Sequence, residues 1–220
     1  MGRDLVQLCR TYAAWLFDLL RHRWSWKFDH ALWLCALTAL LIYPLGQYAP
    51  VEWGYENGVV ENTQMLVLFI AMILCFFAQK NRPFFVFIAG VLLIMALRET
   101  NFGKTLFYPD PVRPNKFLSW DEIPYAPYVD PMMIVYTLGL VFWVWKKKLC
   151  RLVIAYLKAG ELPAWHIAIM VISMISGTLI DKCWHNLIAE EMAELVFYIA
   201  MTCAIFRAGR KSCAWLPEAE

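Results

Sequence analysis

The chain has 220 residues, 61% of them hydrophobic, and its 20 Lys and Arg against 18 Asp and Glu leave a formal charge of +2. A mean hydropathy of +0.51 excludes an ordinary soluble domain of this length. No nucleic-acid-binding motif, Gly-rich nucleotide loop or tandem metal knuckle occurs, so nucleic acid is not an expected partner.

In chain order, residues 1–27 predict an amphipathic helix lying in the membrane interface. Leu5, Leu8, Tyr12, Leu16 and Leu20 form an apolar stripe, and Arg3, Gln7, Arg10, Asp18 and Arg21 a polar one. The arginines of such a helix face anionic lipid at the inner leaflet. Asp4 and Asp18 interrupt the apolar run that a signal peptide needs.

Residues 28–206 predict an all-α, polytopic bundle of six transmembrane helices at 31–48, 61–79, 83–100, 131–146, 164–181 and 188–206. Each is long enough, at about 1.5 Å per residue, to cross most or all of about 30 Å of hydrocarbon. Pro83 suits the start of the third span, where a first-turn N–H has no intrahelical partner. Residues 101–130 carry five prolines among many aromatic residues and predict an ordered cap on the outer helix ends. Residues 149–163 predict a short surface helix, and 207–220 a cytoplasmic tail.

Basic residues set the expected sidedness. Fifteen of the 20 Lys and Arg fall on the side of the N-terminus in this topology, which places both termini inside. Cys183 alone among the cysteines falls on the outer side, so no intrachain disulfide is expected there. The expected location is the cell membrane, or the inner membrane of a bacterium.

Projected onto these spans, the acidic residues gather at the outer ends. Glu61 and Gln64 open the second span, Arg98 and Glu99 close the third, Asp181 and His185 end the fifth, and Glu190, Glu191 and Glu194 open the sixth. Asp181 and His185 are spaced i,i+4 if the fifth helix continues, as are Glu190 and Glu194. Ser173, Gly177 and Asp181 form a small and polar seam, and Tyr198 and Thr202 extend the stripe of Glu191 and Glu194. Carboxylates in such excess over Arg98 and Lys182 require a metal ion, a cationic ligand, bound protons or a water-filled vestibule.

This pattern suits a membrane-embedded hydrolase or transferase acting at the outer leaflet on a lipid or lipid-linked substrate. His185, Glu194 and Glu61 are the catalytic candidates, and Arg98, Gln64 and Tyr198 the candidates for substrate binding. Glu61, Glu99, Asp181, His185, Glu190 and Glu194 are the candidate ligands of a divalent metal, which would polarise a scissile bond and activate water. Arg98 would orient an anionic head group. At the broadest level the arrangement resembles multipass hydrolases with a metal and polar residues near one membrane face. Glu61-Asn62-Thr63-Gln64, Asp181-Lys182-Cys183-Trp184-His185 and Glu190-Glu191-Met192-Ala193-Glu194 lack the several histidines of the zinc-dependent members, and no family assignment follows. The alternatives are an ion-coupled transporter, against which stands the apolar character of the inner half-spans, and a noncatalytic scaffold or receptor.

Overall fold

The computed structural model describes residues 24–25, 29–78, 81–111, 117–158 and 162–210. The predicted interfacial helix of residues 1–27 lies outside the described residues except for Trp24 and Ser25, which pair in parallel with Leu162 and Pro163. The rest of the described chain is essentially helical, with one isolated bridge between Pro109 and Phe117.

The long helices are α1 (Trp33–Tyr48), α2 (Val59–Phe77), α3 (Arg82–Glu99), α4 (Ala126–Lys146), α5 (Leu149–Lys158), α6 (Ala164–Leu179) and α7 (Leu187–Arg210). Five segments are long and apolar enough to cross a membrane: His30–Tyr48, Val51–Phe77, Ala126–Lys146, Ala164–Trp184 and Leu187–Arg210. A sixth forms if Arg82–Glu99 is joined to Asn101–Phe107 across a bend of 58°. This is the architecture of a multi-pass membrane protein.

Burial follows the helical period on the helices that pack most closely. In α2 the buried residues Val60, Gln64, Leu68, Ala71 and Cys75 recur every three or four positions, and in α3 Phe85, Ala89, Leu92 and Ala96 do the same. The two stripes share one core with Tyr198 and Ile205 of α7. A second core joins Leu32 and Cys35, around the start of α1, to Val196, Ala200 and Cys203 of α7.

Helix α7 is the axis of the bundle and packs against α1, α2 and α6. Half of its most apolar stretch is buried, whereas the figure for α4 is 6%. Small side chains explain the central place: Ala189, Ala193 and Ala200 are buried and let neighbouring backbones approach. At Gly46 of α1 an added Cβ would lie 3.2 Å from the Ala189 side chain, so this glycine sets the close crossing of α1 and α7. Asn186 fastens the same crossing by donating from Nδ2 to the Gly46 carbonyl at 2.6 Å.

Helix α4 stands at the edge. Tyr136 donates to the Gly90 carbonyl at 3.2 Å and the Trp143 indole to the Pro83 carbonyl at 3.0 Å, attaching it to α3. Ile134, Val135, Leu138 and Phe142 remain exposed, a surface suited to lipid rather than water. The helix begins at Ala126, five residues before the expected 131. Pro127 lies in its first turn, where the missing N–H costs nothing, and Pro131 is accommodated inside it.

The cap expected over 101–130 is ordered in its described parts. Asn101–Gly103 and Lys104–Phe107 are single helical turns, the second of which buries its own Thr105. Tyr125 ties the two ends of this segment together by donating to the Phe102 carbonyl at 3.0 Å and meeting Tyr108 edge-on. On the opposite side of the bundle, α5 buries Leu149 and Leu152 and exposes Arg151. Helix α7 continues four residues past the expected end at 206, carrying a buried Arg207 into what the sequence suggested was tail; residues 211–220 lie outside the described residues.

Candidate functional site

The start of α2, the end of α3, the end of α6 and the start of α7 meet at one end of the bundle, termed here the acidic end. Glu99 is the hub. Its side chain is only 8% exposed, and Oε1 accepts from the Tyr198 hydroxyl at 2.5 Å and lies 3.5 Å from the Arg98 guanidinium. Glu61, Glu191 and Glu194 each lie within electrostatic reach of it. Tyr198 reaches up to Glu99 because side chains lean towards the N-terminus of their helix, and α7 starts at the acidic end.

Gln64 forms the second link. It is fully buried, and its Nε2 donates both to the Glu191 carbonyl at 2.8 Å and to the Glu191 carboxylate at 2.9 Å, clamping α2 to α7. The amide orientation follows from its partners, since both are acceptors. Its Oε1 has no hydrogen-bond partner among the described residues. Gln64 is therefore a buried clamp between helices rather than a residue lining either cleft.

Two clefts flank this hub. The larger, of about 460 Å³, lies between α3, α6 and α7. Ile94, Met95, Met174 and Phe197 form apolar walls, Ser173, Thr178 and Tyr198 add hydroxyls, and Asp181, Glu190, Glu194 and Arg98 supply charge. The smaller, of about 320 Å³, lies between the start of α2 and the turns after α3, where Glu61 and Asn62 face Thr100 and Thr105.

The structure thus divides the predicted site. Glu194, Arg98, Tyr198, Asp181 and Glu190 share the larger cleft, and Glu99 bonds to its wall through Tyr198. Glu61 belongs to the smaller cleft, where its carboxylate accepts from the Asn57 backbone N–H. His185 belongs to neither. The end of α6 widens into a π-turn at Ile180–Trp184, closed by the His185 N–H donating to the Ile180 carbonyl at 2.8 Å. His185 itself is exposed, with a left-handed φ of 52°, so the i,i+4 relation to Asp181 on a regular helix is not realised.

The proposed metal ligands are consequently dispersed. Among the described residues, no group of three His, Cys, Asp or Glu side chains is arranged to hold a metal ion. The five carboxylates and one imidazole divide among two clefts, the Glu99–Tyr198 bond and the exterior because each helix has its own rotational phase.

Three residues gain importance that their sequence positions only hinted at. Glu191 points inward to Gln64, a direction signalled by its spacing of seven from Tyr198. Ser173, expected as a packing seam, lines the larger cleft. At the other end of the bundle His166 is fully buried, with Nε2 3.9 Å from the Asp29 carboxylate and neither ring nitrogen hydrogen-bonded among the described residues. Nothing in its lone position at the start of a span distinguished it.

Compared with protein-family models, with curated proteins and with solved structures, the chain has no significant match, so the site is read from its own residues alone.

Proposed function

We propose that this protein is a membrane-embedded hydrolase or transferase acting on a lipid or lipid-linked substrate held in the cleft between α3, α6 and α7. The observation that carries this reading is the cleft itself, which combines apolar walls suited to an acyl chain with carboxylates, hydroxyls and a guanidinium at its acidic end. Glu194 is the general base that takes a proton from an attacking water or alcohol, and Arg98 steadies the anion that develops on the substrate. Glu99 positions Tyr198 through their 2.5 Å bond. With the candidate metal donors dispersed, the reading rests on acid–base catalysis by these side chains.

The basic residues favour an acidic end on the outer side of a cell membrane, or of the inner membrane of a bacterium, with anionic lipid against the inner face. The apolar layer of Ile169, Met170, Ile199 and Ala200 separates the cleft from His166 and supports a one-sided pocket over the path of an ion-coupled transporter or the solid bundle of a scaffold.

The test is turnover of defined lipids by the protein in nanodiscs, followed by mass spectrometry. Glu194→Gln should reduce conversion by about 10²-fold or more, while His185→Gln leaves it unchanged. No conversion by the natural protein, or full activity in a folded Glu194→Gln variant, would end the proposal.

A further inference from the structure

The larger cleft holds a second kind of information besides its acids. Ser173 is 5% exposed and lines the cleft, yet its hydroxyl has no hydrogen-bond partner among the described residues. Thr178, on the same helix, takes the other course and bonds back to the Met174 carbonyl at 3.0 Å. An enclosed side chain whose hydroxyl still opens on a cleft is a place where a ligand atom can complete the bonding.

The register of α6 against α7 locates it. The two helices are antiparallel, and a Cβ at Gly177 would stand 3.8 Å from that of Ala193. Asp181 and Glu190 therefore sit together at the mouth, within electrostatic reach of one another. Glu194 is level with Gly177, and Ser173 lies a turn further in. Eight residues separate Asp181 from Ser173, which is about 12 Å along the helix.

The ligand's chemistry follows from what each level offers. Three carboxylates against one guanidinium leave an excess of negative charge at the mouth, which calls for a cation. Arg98 is 69% exposed and held to Glu99 only at 3.5 Å, so most of its donors remain available for an anion such as phosphate. The free Ser173 hydroxyl is suited to an ester carbonyl below the head group. Phe197 and Tyr198 are the aromatic residues of the lining, fewer than the cages that select quaternary ammonium, whereas carboxylates accept directly from N–H.

We infer that the cleft binds an aminophospholipid with a primary ammonium, with the ammonium at Asp181 and Glu190, the phosphate at Arg98 and an ester carbonyl at Ser173. This rests on the lipid-directed reading of the same cleft and names its substrate class.

The experiment titrates phosphatidylethanolamine, phosphatidylcholine and phosphatidylglycerol of identical acyl chains into the detergent-solubilised protein, with bound lipid counted by native mass spectrometry. Phosphatidylethanolamine should bind about tenfold tighter than the other two. The Asp181→Asn/Glu190→Gln double variant should lose that preference, and Ser173→Ala should weaken all three lipids alike. Thermal unfolding checks that each variant is folded, and the single Glu190→Gln variant replaces the double one if it is not. Equal binding of the three lipids, a preference for phosphatidylglycerol, or a preference that survives the double variant overturns the aminophospholipid assignment and leaves the lipid-directed reading standing. Retention of none of the three overturns both.

Discussion

The Tyr198–Glu99 bond is the most direct test of how the acidic end is assembled. Tyr198→Phe keeps the ring that packs in the core and removes only the hydroxyl that donates to Glu99 at 2.5 Å. Interhelical hydrogen bonds in membrane proteins contribute about 0.6 kcal/mol on average and about 1.7 at most. Two features place this one near the top of that range: the acceptor is a carboxylate, which strengthens the bond, and its side chain is only 8% exposed, which keeps water from replacing the hydroxyl. The guanidinium of Arg98, 69% exposed and free to move closer, offsets part of the loss. The expected cost is about 1.5 kcal/mol, or about 3–6 °C in Tm for a chain of this size. Intrinsic tryptophan fluorescence during heating in nanodiscs reads the shift, and a double-mutant cycle with Glu99→Gln isolates the pairwise part. A coupling of about 0.3 kcal/mol or less would refute the claim that Glu99 is the hub.

Three further outcomes are expected. Gly54→Ala should destabilise the acidic end by about 1–3 kcal/mol, because the added Cβ would lie 2.9 Å from the Ile188 side chain and 3.0 Å from its backbone nitrogen; an unchanged Tm contradicts that packing. His166→Leu should raise stability by about 1 kcal/mol, since the ring is fully buried and neither nitrogen is hydrogen-bonded among the described residues, and a drop in Tm would contradict that reading of the ring. With single-cysteine variants in intact cells, an impermeant maleimide should label exposed Cys183 and not exposed Cys150, and the reverse pattern would invert the proposed sidedness.

Much of this protein is legible residue by residue. Helices of this length need only a long apolar run, because unpaired backbone groups are intolerable in hydrocarbon, and the charges that punctuate the runs mark their ends. Glu61, Glu99, Asp181 and Glu194 were accordingly traceable to one end of the bundle from sequence. The breaks are legible too: Pro83 lies in the first turn of α3, and the described parts of the proline- and aromatic-rich stretch after that helix form ordered turns.

Rotation about each helix axis is not legible in the same way. In a soluble protein the polar face of a helix reveals its buried one, but in lipid both faces are apolar and that contrast is lost. Only packing decides that α7 is central while α4, equally apolar, stays at the edge. Only packing turns Glu191 inward to Gln64, sends Glu61 to a different cleft from Glu194, and ends α6 in a wide turn that carries His185 out to the surface. The sequence by itself determined that the chain is a bundle of long apolar helices and which end is acidic, because these depend on local hydropathy and charge, whereas the count came out as five spans and a sixth only across the 58° bend after Glu99. The tertiary structure alone decided which acids share a cleft, because that depends on rotations of about 100° per residue that no local energy term fixes.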